Sequence, residues 1–403
     1  MHEHLVIAGG GQAATQAAQS ARQAGFDGAI TLVAAEPCLP YQRPPLSKSF
    51  LSGDLERSRL FLKPETFYES RDIELRLSTR VVSIDPSRMR VELDSEESIA
   101  CSHLLLATGS APRRLQVPGA DLEGIYSLRT IADVESIKRD LDGAERLLIV
   151  GAGYIGLEVA AVASRSGIEV TVLEAGAHAL SRSVCPEVAD FLVENHRQAG
   201  VDFRFSGGLD AFLGDSRVRG IATDNGDRIE CDLAIVAVGI VPQTALAESA
   251  GLEIDNGIAV DAAGRTSAPG IFSAGDCTSH LHPWVGRRIR LESVHNAIEQ
   301  GKAAAASICG QEAAFDAIPW FWSDQYDLKL QIAGLSEGYD RIVLRGRPDD
   351  GAFSAFYLEA GRVIAVDSVN DPRTFIAARK FLVDKPAWSA ETIADTDCDL
   401  NKL

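Results

Sequence analysis

Short apolar runs that end on glycine recur along this chain, and they predict its plan. Leu5-Val6-Ile7-Ala8 meets Gly9-Gly10-Gly11, and an Ala-rich stretch of helical spacing follows from Gln12 to Ala24. A second apolar run, Ile30-Thr31-Leu32-Val33-Ala34-Ala35, ends on Glu36. The same succession returns with Leu147-Leu148-Ile149-Val150, Gly151-Ala152-Gly153, a helix to about Ser166, and a strand Val170–Leu173 ending on Glu174. Continuous apolar runs of this length fit strands buried on both faces, as in a parallel sheet flanked by helices. Leu104–Ala107 and Leu233–Val238 are further buried strands, closing on Gly109 and Gly239. Val81–Ile84 and Arg90–Leu93 alternate instead and predict an antiparallel pair. After Pro242 come short strands at Ile258–Val260 and Ile271–Ala274, then an Ala-rich helix from Val294 to Ile308. Beyond Pro319 four strand patterns precede a helix over Asp371–Leu382, which predicts a small α+β domain.

The two glycine turns carry chemistry. Gly9, Gly11 and Ala14 form one fingerprint, and Gly151, Gly153 and Gly156 form the other, with Ile155 inside it. In each, the first glycine permits the tight turn and the second lets backbone approach a pyrophosphate. The third small residue lets helix pack on strand, and the phosphates rest on the helix N-terminus. Glu36 and Glu174 each stand roughly 20 to 25 residues on, where a carboxylate binds a ribose diol. Two complete fingerprints imply two dinucleotides, and two dinucleotides imply electron transfer between them.

Composition narrows the setting. The 403 residues are 46% hydrophobic and 24% charged, with a formal charge of −18. That balance fits a globular chain and speaks against nucleic acid as a partner. No apolar run approaches the roughly 20 residues that span a bilayer, and the first strand begins too early for a signal peptide, so a cytoplasmic setting is expected. Seven cysteines show neither C-x-x-C nor metal-ligand spacing, so no metal is expected. One cationic run, Arg287-Arg288-Ile289-Arg290, breaks the acidic background: it is a candidate docking patch for an acidic protein partner, with Lys329 and Arg43 as others, or else a solvated loop neutralised by neighbouring acids.

The loop Tyr41-Gln42-Arg43-Pro44-Pro45-Leu46-Ser47-Lys48 resembles the Y-x-R-P-P-L-S-K stretch of NADH-dependent ferredoxin reductases of bacterial oxygenase systems. So, in order, do Ala107-Thr108-Gly109, Ser127–Thr130, Gly153–Glu158, Ala237–Pro242, Gly275-Asp276-Cys277, Glu292–Ala297 and Trp320–Gln325. The likeness covers nearly the whole chain. It implies an α/β fold of two Rossmann-like dinucleotide-binding domains plus a C-terminal α+β domain. The FAD domain is discontinuous (1–110 and 242–318), the NAD domain is inserted (111–241), and 319–403 follows.

By resemblance, FAD is held by Gly9, Gly11, Ala14, Glu36, Arg43, Lys48, Val82, Thr108, Gly109, Arg129, Asp276 and Val294, with Trp320 over the ring or closing the pocket. NADH is held by Gly151, Gly153, Ile155, Gly156, Glu158, Glu174, Arg182 and Gly239. Lys48 is expected to face the flavin and pair with Glu158, which helps place the nicotinamide. Glu174 should repel a 2′-phosphate and so favour NADH. Electrons would pass from NADH through FAD to a two-iron ferredoxin that feeds a cytochrome mono-oxygenase or a ring-hydroxylating dioxygenase. NADH oxidase, rubredoxin reductase and monodehydroascorbate-type reductase share this plan, as does a redox-sensing flavoprotein. Related disulfide reductases carry a cysteine pair after the first strand pair. Only Cys38 stands there, so catalysis by a cysteine pair is not expected.

Overall fold

The computed structural model describes residues 3–402 as two compact units. The first comprises 1–42, 57–111 and 241–319, and the second 43–56, 112–240 and 320–403. The loop Arg43–Glu56, read from sequence with the first segment, therefore packs within the second unit.

The first unit is built on a five-stranded parallel sheet. Its order is Ile271–Ser273, His103–Leu106, His4–Ala8, Ala29–Val33, Ile73–Arg76. Leu5 pairs with Ile30 and His103, and Ile7 with Leu32 and Leu105. The apolar runs are continuous because both faces of this sheet are covered. On one face, the helices Gln12–Gln23 and Val294–Ile308 pack together through alanines. A Cβ on Gly301 would stand 2.9 Å from the Ala13 carbonyl oxygen, so only glycine allows this approach. Val81–Asp85, Arg90–Leu93 and Ser98–Ala100 form an antiparallel sheet whose Val91, Leu93 and Ile99 share a core cluster with Val6, Ala8, Leu104 and Leu106 of the parallel sheet.

The second unit repeats the plan. Its parallel sheet runs Asp202–Phe205, Glu169–Glu174, Arg146–Val150, Leu233–Val236, Ile125–Tyr126. Two helices that the apolar spacing does not announce, Ile131–Leu141 and Pro186–Gln198, are set by their ends instead. Thr130 and Asp133 form a capping box, and Pro186 occupies the first helical turn. The C-terminal part is a five-stranded antiparallel sheet with the helix Pro372–Phe381, in the order Trp320–Gln325, Leu328–Gly334, Arg362–Val369, Ala352–Glu359, Arg341–Arg347. Within the cationic run, Arg287–Ile289 is a strand, paired antiparallel with Thr278–His282.

Candidate functional site

The fingerprint of the first unit has the geometry that a pyrophosphate needs. Gly9 has φ +139°, and a Cβ there would lie 2.1 Å from the Ala107 carbonyl oxygen. A Cβ on Gly11 would meet nothing within 4 Å, so open space lies before the helix that starts at Gln12. No side chain caps that helix, which leaves its first N–H groups for an anion. Ala14 is fully buried at the strand contact. The Tyr41 hydroxyl donates to Glu36 at 2.6 Å, which orients that carboxylate past the second strand. Thr108 Oγ1 donates to the Gln243 carbonyl at 2.7 Å, and Gly109 has φ +68°. The Ser110 hydroxyl donates to Asp276 Oδ2 at 2.9 Å. Val82, on a strand with an irregular register, is 54% exposed. Val294 opens its helix behind Ser293, whose Oγ accepts the Asn296 N–H at 3.1 Å.

The second unit presents the matching cradle. Gly151 has φ +105°, and a Cβ would sit 2.6 Å from the Ala237 oxygen. A Cβ on Gly153 would find its nearest atom at 3.9 Å, whereas one on Gly156 would stand 2.2 Å from the Gly151 oxygen. So Gly151 and Gly156 are required by the fold itself, and Gly153 keeps a space clear. Glu174, at the strand end, accepts from the N–H of Ala152 at 2.8 Å and of Gly176 at 2.7 Å. It therefore shapes the glycine turn as well as facing it. Arg182 reaches the neighbourhood of Gly239 (φ +101°), with Nη2 3.8 Å from where a Cβ would be, and Ile155 is 40% exposed beside the turn.

Lys48 and Glu158 come together in this unit. Lys48 Nζ lies 2.8 Å from Glu158 Oε2, and the Ser47 and Ser323 hydroxyls donate to the same carboxylate at 2.5 and 2.6 Å. Glu158 is 3% exposed. The helix begins at Tyr154, so Glu158 sits in its second turn rather than its first, beyond the best reach of the helix dipole. The cation and two hydroxyls make its burial tolerable instead. Neither serine stands out as a functional position, although both lie inside the quoted motifs. Arg43 donates to the Arg129 carbonyl at 2.6 Å, and the Arg129 N–H to Asp133 at 3.0 Å, which ties the proline loop to the capped helix. Trp320 packs on Trp322 and Phe375 with the Arg379 guanidinium 5.0 Å from its ring.

The cationic run is largely satisfied internally. Arg288 donates to the Ser279 carbonyl and pairs with Asp255 at 3.5 Å, and Arg290 pairs with Glu292. The buried thiols are poor nucleophiles. Burial pushes Cys185 up to about 11 and Cys231 up to about 12.

Comparison with known proteins agrees with this geometry. Residues 3–301 match the family described as pyridine nucleotide-disulphide oxidoreductase, and residues 320–403 match the one described as reductase C-terminal. The chain is 43% identical to rhodocoxin reductase of Rhodococcus erythropolis, over 98% of this chain and 93% of that protein. It resembles the crystal structure of the ferredoxin reductase for the CYP199A2 system from Rhodopseudomonas palustris with a TM-score of 0.97. That match has 39% identity and covers 99% of both chains. The reductase of the covalent putidaredoxin reductase–putidaredoxin complex gives a TM-score of 0.96 at 38% identity, covering 99% of this chain and 97% of that one.

Proposed function

Because this chain belongs to the pyridine nucleotide-disulphide oxidoreductase family, with ferredoxin reductases among its full-length relatives, we propose that it is an FAD-dependent NADH:ferredoxin reductase. Its electrons go to a two-iron ferredoxin serving a cytochrome mono-oxygenase or a ring-hydroxylating dioxygenase. The observation that carries this reading is the pair of glycine turns, in which Gly11 and Gly153 leave open space that a Cβ would enter. Bound FAD supplies the chemistry, accepting two electrons from NADH and releasing them singly.

The residues of the chain bind, orient and tune. The Gly9–Ala14 turn and its helix N-terminus take the FAD pyrophosphate, with Glu36 on the ribose and Asp276 on the ribityl–pyrophosphate stretch. The Gly151–Gly156 turn takes that of NADH, and Glu174 binds the adenosine diol while opposing a 2′-phosphate. Lys48 places a fixed positive charge beside the reacting ring, and Glu158 holds Lys48 while orienting the nicotinamide amide. Thr108, Gly109 and Gly239 allow close backbone approach. Val82, Arg43, Arg129, Ile155, Arg182, Val294 and Trp320 line the cofactors. Among the described residues no helix is long and apolar enough to cross a membrane. We place the enzyme in the cytoplasm, where NADH is available.

The test is purification and assay. The protein should carry FAD and reduce a two-iron ferredoxin faster with NADH than with NADPH. Folded protein that cannot be loaded with FAD refutes the reading.

A further inference from the structure

Below the Gly275-Asp276 turn lies a buried polar cluster that none of the assigned roles uses. Gln300, 4% exposed on the helix Val294–Ile308, points its Oε1 at the Gly275 N–H (2.7 Å) and at Thr278 Oγ1 (2.7 Å). A backbone N–H only donates, so this contact fixes which end of the amide faces the turn. The Gln300 Nε2 then faces His280 Nδ1 at 3.1 Å. Nδ1 must accept, so the ring proton resides on Nε2, which is buried with no hydrogen-bond partner. His280 itself is 1% exposed.

We propose that Gln300 and His280 are a positioning pair for the flavin-binding turn Gly275-Asp276: neutral His280 holds Gln300 in the orientation that anchors Gly275, and proton uptake by His280 releases that anchor. The inference rests on the assignment of Asp276 to FAD. A proton on Nδ1 would aim N–H at the amide NH2. Relief requires the amide to flip, and the flip sets NH2 against the Gly275 N–H. The imidazole therefore charges only by breaking the contact that fixes the turn.

The surroundings favour the neutral ring. Burial comes first, then His282 on the same strand (ring centroids 5.4 Å apart), then Arg288 on the adjoining strand; together they bring His280 down to about 4. Arg288 is paired with Asp255, and Asp316 acts on His282 rather than directly on His280. From the helix, His295 packs on Phe315 (centroids 6.1 Å), whose ring also contacts His280. The folded value lies below the ordinary imidazole value of 6.5. The neutral form is thus the one folding selects. The anchor is complete above that ordinary value and is lost as pH falls toward the lowered one.

The experiment measures FAD release from holoprotein across this pH range, by ultrafiltration and flavin absorbance, with circular dichroism as the fold control. Asn in His280→Asn offers an acceptor that takes no proton, so its release midpoint should fall by about one pH unit. Gln300→Leu should weaken FAD binding at neutral pH by about tenfold, because the buried Gly275 N–H loses its acceptor. Histidine-labelled NMR of the unmodified holoprotein should show His280 protonated on Nε2 alone. Release midpoints equal in His280→Asn and wild type, unchanged FAD affinity in Gln300→Leu, or a proton on Nδ1 at neutral pH each overturns the proposal. Wild type that never binds FAD overturns the flavin assignment itself, and the proposal with it.

Discussion

Gly11→Ala and Gly153→Ala separate what the fold needs from what the ligands need. Both glycines occupy helix N-cap positions with ordinary backbone angles, φ −107° and −81°. A methyl on Gly11 meets no protein atom within 4 Å, and one on Gly153 only the Ala237 oxygen at 3.9 Å. The cost to the apoprotein is confined to a poorer N-cap, about 0.5–1 kcal/mol. The cost to binding is larger, because the methyl enters space proposed for a pyrophosphate. Pushing a phosphate off the helix N-terminus forfeits one or two hydrogen bonds to a charged group. At about 1.5–3 kcal/mol each, that is a loss of tenfold to a hundredfold or more. Gly11→Ala should therefore purify folded but poor in FAD. Gly153→Ala should keep its FAD and show a raised KM for NADH. Gly156→Ala, whose methyl would lie 2.2 Å from the Gly151 oxygen, should instead destabilise the fold. Flavin absorbance, reconstitution titrations, steady-state kinetics and thermal melts read these outcomes. Full FAD in Gly11→Ala, or an unchanged NADH KM in Gly153→Ala, refutes the assignment of the two cradles.

Three further outcomes follow from side chains. Lys48→Ala leaves the buried Glu158 carboxylate with its two serines only; stopped flow should show flavin reduction by NADH slowed about tenfold or more at little cost in FAD content, and an unchanged rate removes Lys48 from the mechanism. Glu174→Ala removes both the diol contact and the bonds to Ala152 and Gly176, so NADH KM should rise and the preference over NADPH shrink; an intact preference refutes that role. Asp367 is wholly buried beside the Tyr357 hydroxyl, and burial pushes its carboxyl up to about 8. Folding thus selects its protonated form, whose stabilisation is present at low pH and lost as pH rises through that value. Asp367→Asn should gain thermal stability relative to wild type from pH 5 to 8, and a difference that does not vary with pH contradicts the argument.

The parallel strands were legible because burial on both faces writes them as unbroken apolar runs, and the turns because glycine was needed at Gly9, Gly151 and Gly156. Glu174 and Asp276 were legible as strand-end acids. Ser47 and Ser323 were not, because a hydroxyl gains its role only from the carboxylate that tertiary folding brings to it. Gln300 and His280 lie twenty residues apart in sequence, and nothing in their spacing reveals the shared amide. The Arg287–Arg290 run read as an exposed charge cluster because a sequence does not show Asp255 and Glu292 folding onto it.

The central claim is the order of electron flow. Purified enzyme mixed without oxygen with NADH and a two-iron ferredoxin should bleach at the flavin band first. Ferredoxin reduction should follow, dependent on the presence of both NADH and the flavin. Bleached flavin beside ferredoxin that stays oxidised, while oxygen or a rubredoxin is readily reduced, would contradict the account.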